Sequence, residues 1–140
     1  MIVVDTNVVA YLHMPGQYSA DARAALVRDA AWAAPVLWRS ELRNVLTTYV
    51  RRGELPLSEA ILVQDAAEEL MTGREYNVPS SEVLEIAAEG QCSAYDGEFV
   101  ALARRLRLPF VTADATLVKR FPNVAVSLRS FAGGGQDDNA

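Results

Sequence analysis

The chain has 140 residues, 51% of them hydrophobic, which suits one compact α/β domain with a substantial core better than two domains or a disordered chain. One cysteine, Cys92, excludes an internal disulfide framework, and one histidine, His13, leaves no ligand set for a structural zinc site. The net charge of −5, from 13 bases and 18 acids, argues at first sight against a nucleic-acid partner, since phosphate binding favours a basic surface. The opening Met1-Ile2-Val3-Val4-Asp5 has no basic n-region and reaches a carboxylate after three apolar residues, so it is not expected to act as a secretory signal. No apolar run approaches bilayer length, and the expected setting is a reducing cytoplasm without a membrane partner.

Ile2 to Val4 is a short β-branched run ending in Asp-Thr-Asn, as in a buried parallel strand that feeds a turn or helix start. Met14-Pro15-Gly16 breaks the apolar stretch Val8 to Leu12, and Ser19 can cap a helix running through Leu26 towards Ala31. Pro35 is expected to open a second helix through about Arg52, with Gly53 as its stop. A third runs from Ser58 to Gly73, carrying Ile61, Leu62, Ala66 and Leu70 at helical spacing. Asn77-Val78-Pro79 reads as an extended link, Ser80 or Ser81 caps a helix to Gly90, and a fifth helix spans roughly Ala94 to Arg107. Pro109 to Thr112 is the second convincing strand, followed by a short helix to Arg120 and a third strand at Val124 to Val126. Alternating strands and helices imply a central parallel sheet flanked by helices, a three-layer α/β/α domain over residues 1–131, with 132–140 as a flexible polar tail. Such sheets bind ligands beyond the carboxyl ends of their strands.

Four acids stand out against that frame. Asp5 directly follows a buried strand, where a carboxylate must be hydrogen-bonded, paired or metal-bound; the alternative is that Asp5 or Thr6 only caps the next turn. Glu41 lies in line with Leu37 and Val45 on an apolar helical stripe, unless it is an edge position compensated by Arg39 or Arg43. Asp96 shares the inward face of Phe99 and Val100 at a helix's first turn, although Ser93-Ala94-Tyr95-Asp96 also matches a simple capping box. Asp114 repeats the geometry of Asp5 after the Phe-Val-Thr strand, with a loop or cap as its alternative. Two acids at strand ends and two on inward helix faces can converge on one crevice. Carboxylates about 5 Å apart repel by roughly 3 kcal/mol at an effective dielectric near 20, so such a set needs a cation or raised pKa values. Oxygen ligands alone favour Mg²⁺ or Mn²⁺ over Zn²⁺.

Charge is then no veto on an RNA partner. Without the four site acids and the tail pair Asp137 and Asp138, 12 acids face 13 bases. Twelve of those bases are arginine, clustered at Arg51-Arg52, Arg104-Arg105 and Arg107, and their planar forks suit phosphate, although solvated helix faces are the plainer explanation.

These residues resemble the PIN-domain family, and within it the VapC-like toxin ribonucleases of type II toxin–antitoxin pairs. Val3-Val4-Asp5-Thr6-Asn7 is similar to the family's opening strand and motif, Ser40-Glu41-Leu42-Arg43-Asn44 to its helical glutamate, Ser93-Ala94-Tyr95-Asp96 to its third motif and Val111-Thr112-Ala113-Asp114 to its fourth. The resemblance implies metal-dependent endonucleolytic hydrolysis of single-stranded or loop RNA. It makes Asp5, Asp96 and Asp114 metal ligands, with Glu41 completing the catalytic set directly or through a water and Asn7, Ser93 and Thr112 orienting the carboxylates. It also implies an antitoxin protein that plugs the crevice, and a homodimer. One departure is that Ala115 and Thr116 follow Asp114 where relatives often carry a further acid or asparagine, which weakens the case for a second tightly held metal; Glu98 is a poor substitute, since two helical residues beyond Asp96 should point elsewhere.

A haloacid-dehalogenase-like phosphohydrolase also places an aspartate after its first strand, but wants a second where Asn7 stands and a lysine in the site, and the only lysine is Lys119. A receiver domain or inert α/β binding module leaves Glu41 unexplained. A Ser-His-Asp hydrolase would need His13, which lies in a Leu-His-Met segment suited to packing. Trp38 and Tyr95, beside motif residues, are candidates to stack on bases, with core packing the commoner fate.

Overall fold

The structure is a computed structural model that describes residues 1–133. Five strands, β1 (Ile2–Val4), β2 (Trp32–Pro35), β3 (Glu75–Tyr76), β4 (Phe110–Thr112) and β5 (Ala125–Ser127), form one sheet in the order β3-β2-β1-β4-β5. Every pairing is parallel, and Val3 of the central strand lies opposite Ala33 on one side and Phe110 on the other. β1 is apolar throughout because helices cover both of its faces; its three residues are all buried. The helices are α1 (Thr6–His13), α2 (Ser19–Arg28), α3 (Leu37–Arg51), α4 (Leu57–Leu70), α5 (Ser80–Gly90), α6 (Ala94–Leu106), α7 (Ala115–Arg120) and α8 (Leu128–Ala132). α1 to α4 pack on one another, as do α5 and α6, and the right-handed crossovers usual between parallel strands put these two groups on opposite faces of the sheet; α8 packs back against α2.

The expected α/β/α layering is present, with two strands the sequence reading did not foresee. β2 lies where a helix was expected to run to Ala31 and another to begin at Pro35. Its Trp-Ala-Ala-Pro sequence has no β-branched residue, yet Trp32, Ala33 and Ala34 are fully buried, and the two alanines lie in a strand that α6 packs against. Packing, not propensity, makes this strand. Asp29 ends α2 early: its carboxylate accepts the Ala31 amide at 2.9 Å and pairs with the N-terminal amine at 2.8 Å, which turns the chain into β2. β3 has only two residues, too few to show alternation.

Gly90 does not stop α5 by conformation; it is the last helical residue, and Gln91 takes the left-handed position at φ 51°. A Cβ on Gly90 would run into the ring of Phe121, so this glycine is a packing requirement. The final helix, α8, was also not expected; it takes in Ala132, while residues 134–140 of the expected tail lie outside the described residues. Among the described residues no helix is long and apolar enough to cross a membrane.

The sheet order matters for function. From β1 the chain builds outward through β2 to β3, then crosses back to lay β4 on the opposite side of β1. That reversal makes the carboxyl ends of β1 and β4 the topological switch point of the sheet, the place where open parallel sheets bind ligands.

Candidate active site

Asp5 and Asp114 stand at this switch point, just past the ends of β1 and β4. The Asp5 amide donates to the carbonyl of Val111 at 3.1 Å, extending the β1–β4 pairing one residue and fixing Asp5 beside the end of β4. Thr112, the fully buried last residue of β4, donates its hydroxyl to Asp5 Oδ2 at 2.7 Å and accepts the Asp114 amide at 3.0 Å. Asp5 holds the N-cap position of α1 with no side-chain capping bond of ordinary geometry, although the Asn7 amide lies near enough to lower its pKa. For Asp114 capping is real: Oδ1 accepts the amides of Thr116 at 2.8 Å and Leu117 at 3.3 Å, and the residue is exposed.

Glu41 reaches the site from the second turn of α3, flanked by the buried Trp38 and Leu42. Its Oε1 accepts the hydroxyl of Thr6 at 2.6 Å. The compensation by arginine considered above does not occur, because Arg39 turns away to bind Glu75 at 2.6 and 2.7 Å and Glu68 at 3.1 Å, while Arg43 donates to Ser40 at 3.1 Å. Asp96 comes from the first turn of α6, on the other face of the sheet. Ser93 caps that helix by accepting the Asp96 amide at 3.0 Å.

The electrostatics tie the four acids together. Burial, opposed by the Thr112 hydroxyl and reinforced by the charges of Asp96 and Glu41, pushes the Asp5 carboxyl from 3.8 up to about 6. Burial also raises Glu41, with Asp96 and Glu98 adding repulsion, and raises Asp96, with Asp114 as the next cause. Among the described residues no arginine, lysine or histidine forms an ion pair with any of the four. Three carboxylates, Asp5, Glu41 and Asp96, held by burial and mutual repulsion above their ordinary pKa range are what a hard divalent cation relieves, so the donor chemistry fits Mg²⁺ or Mn²⁺. As the side chains stand, no group of three or more His, Cys, Asp or Glu among the described residues is arranged to hold a metal ion.

Other expectations fare unevenly. Thr112 does contact Asp5, whereas Asn7 is exposed and makes no side-chain hydrogen bond among the described residues. Thr6 was read only as a possible cap; the missed signal was a hydroxyl directly after a strand-end acid, on a helix that packs against α3. Trp38 is buried and donates to Glu75 at 2.9 Å, so it belongs to the core, while Tyr95 remains 62% exposed beside Asp96. Arg104 and Arg105 pair with Glu89 and Glu82 at the far end of α6, about 12 Å or more along the helix from Asp96, which makes them surface pairs. Glu98, two residues beyond Asp96, nevertheless acts on Glu41 through its charge.

A PIN-domain family model matches residues 2–124, and the chain belongs to the PIN-domain family. Over 124 residues it is 27% identical to Ribonuclease VapC3 of Pyrobaculum aerophilum, covering 86% of this chain and 95% of that protein. Among solved structures it resembles PAE2754 from Pyrobaculum aerophilum, with a TM-score of 0.76 and 20% identity over 95% of this chain and 94% of that one. FitAB bound to the IR36 DNA fragment matches at a TM-score of 0.72 and 17% identity, over 92% and 96% of the two chains. FitAcB from Neisseria gonorrhoeae matches at 0.70 and 18%, over 91% and 98%. At such identities the solved structures speak for the fold.

Proposed function

We propose that this PIN-domain protein is a metal-dependent endoribonuclease that hydrolyses phosphodiester bonds in single-stranded or loop RNA, and that it serves as the toxin of a toxin–antitoxin pair in the cytoplasm. What supports the reading is that Asp5 and Asp114 stand at the ends of β1 and β4, that Glu41 and Asp96 bear on Asp5 through their charges, and that among the described residues no basic side chain pairs with any of the four. The family membership and the likeness to Ribonuclease VapC3 support it.

In this reading Asp5, Asp96 and Asp114 would hold Mg²⁺ or Mn²⁺, and Glu41 would complete the set directly or by orienting a water. Such a cation lowers the pKa of a bound water and offsets charge on the phosphate. The protein's own work is positional. Thr112 fixes the Asp5 carboxylate and, through the Asp114 amide, the start of the β4–α7 turn. Thr6 fixes Glu41, and Ser93 fixes the first turn of α6 on which Asp96 stands. The first turn of α6 also places the positive end of the helix dipole at the site, which favours a phosphate there.

A phosphohydrolase of the dehalogenase type finds no support, since Lys119 lies exposed in the last turn of α7. The resemblance further implies an antitoxin that covers the crevice, and a homodimer. Expression in a bacterial host tests the toxin role: wild type arrests growth and Asp96→Asn does not, whereas arrest by both variants or by neither counts against it.

A further inference from the structure

Beside the carboxylates, on the β2–β3 side, a cavity of about 470 Å³ opens between the turn after β2, the link from β3 to α5 and the first turns of α6. Leu37, Val78 and Val83 give it apolar walls; Asn77, Ser80 and Glu98 give it polar ones. Its two ends of chain tie it to the active site. Ala94 and Glu98 in its wall stand on the first turns of α6, each two residues from Asp96. None of the Asn77, Ser80 and Glu98 side chains makes a hydrogen bond or ion pair with another described residue, so all their bonding capacity faces the cavity and solvent. An acidic group left without a cation on the wall of a cleft that must admit a polyanion needs a reason.

We propose that this cavity is a nucleobase subsite of the ribonuclease site and that Glu98 makes it select guanine in single-stranded RNA next to the cleaved phosphate. The inference rests on the ribonuclease reading given above. The Tyr76 ring and the side chains of Leu37, Val78 and Val83 give the cavity surface on which an unstacked base can lie, and single-stranded recognition splays bases out of their strand. An ionised carboxylate accepts hydrogen bonds and donates none. Guanine alone presents two adjacent donors, N1–H and the N2 amino group, in register with two carboxylate oxygens. Adenine and cytosine each set one amino donor beside a ring-nitrogen acceptor that a carboxylate repels, and the single N3–H of uracil sits between two carbonyls. The Asn77 amide can serve the guanine O6 from the same wall.

The test is cleavage of a set of short single-stranded RNAs that differ only in the bases flanking the cleaved bond, with inosine in place of guanine in one member. The enzymes compared are wild type, Glu98→Gln and Asn77→Ala, each checked for an unchanged melting temperature. Wild type should prefer guanine at one flanking position by about tenfold or more, the range of a bidentate base contact. Inosine, which lacks the N2 amino group, should lose most of that preference, and Glu98→Gln should bring the guanine-to-adenine ratio close to one. Cleavage indifferent to base, or a guanine preference that survives Glu98→Gln, overturns the subsite while leaving the ribonuclease reading intact. Failure of wild type to cleave any member, with either metal, overturns both.

Discussion

The hydroxyl of Thr112 lies between the two strand-end acids, donating to Asp5 Oδ2 at 2.7 Å and accepting the amide of Asp114 at 3.0 Å. One buried side chain thus couples Asp5, 107 positions away in sequence, to the turn that carries the second acid. Thr112→Val keeps the shape and removes both bonds, leaving a closed-in carboxylate oxygen and an amide without that partner. The expected loss of stability is about 1–3 kcal/mol, read by urea denaturation. RNA cleavage should fall by roughly 10- to 100-fold, as for other groups that orient ligand carboxylates. Thr112→Ser, which keeps the hydroxyl, should recover most of the activity.

The pH dependence of the metal-free protein follows from Asp5. Its folded pKa of about 6 stands above the ordinary 3.8, so the folded state binds the proton more tightly than the unfolded one. The stabilisation is complete below the unfolded value and is lost as pH rises through about 6. Glu41 and Asp96 shift in the same direction. In EDTA the protein should therefore be more stable at pH 5 than at pH 8, and Asp5→Asn should stabilise it at pH 8 by up to about 3 kcal/mol. Urea melts at the two pH values measure this, and an Asp5→Asn protein less stable than wild type at pH 8 in EDTA would count against a strained carboxylate.

Thr6 offers a test of how Glu41 is positioned. Its hydroxyl gives Glu41 a 2.6 Å hydrogen bond. Thr6→Val should lower cleavage by about tenfold or more, and Thr6→Ser should restore it, with the metal concentration for half-maximal activity rising in the valine variant alone. Equal activity of the two variants would make Thr6 a packing residue.

Gly90 gives a stability prediction away from the site. A methyl group there meets the Phe121 ring, which is buried and also lies beneath Arg104, its guanidinium 5.6 Å from the ring centre. Gly90→Ala should cost about 1–3 kcal/mol through overpacking, and the double variant with Phe121→Leu should recover part of it. Thermal melting of the two variants separates this packing role from a purely conformational one.

How far the sequence could be read depended on how locally each feature is specified. β1 and β4 are visible because β-branched residues in short apolar runs suit strands buried on both faces, and the edge strand β5 because its apolar run follows a break at Pro122 and Asn123. β2 was not, since its alanines favour a helix locally and become a strand only through pairing with β1 and packing under α6. Asp5 and Asp114 could be placed at strand ends from pattern alone, and Glu41 from its position in an apolar stripe. The Thr6–Glu41 bond spans 35 residues between two helices and left no trace in local pattern. Arginine pairs suggested phosphate contact until the fold put Arg104 and Arg105 against Glu89 and Glu82. Helix position alone points Glu98 away from Asp96, yet its charge contributes to raising the Glu41 pKa.

The most direct measurement is cleavage of single-stranded RNA by partner-free protein across a Mn²⁺ and Mg²⁺ titration, with EDTA and with Asp96→Asn as controls. Cleavage should rise with metal, stop in EDTA, return on adding excess metal, and be lost in Asp96→Asn while the fold is retained. RNA cleavage that persists in EDTA, or that Asp96→Asn carries out as well as wild type, would contradict a metal-dependent nuclease built on these four carboxylates.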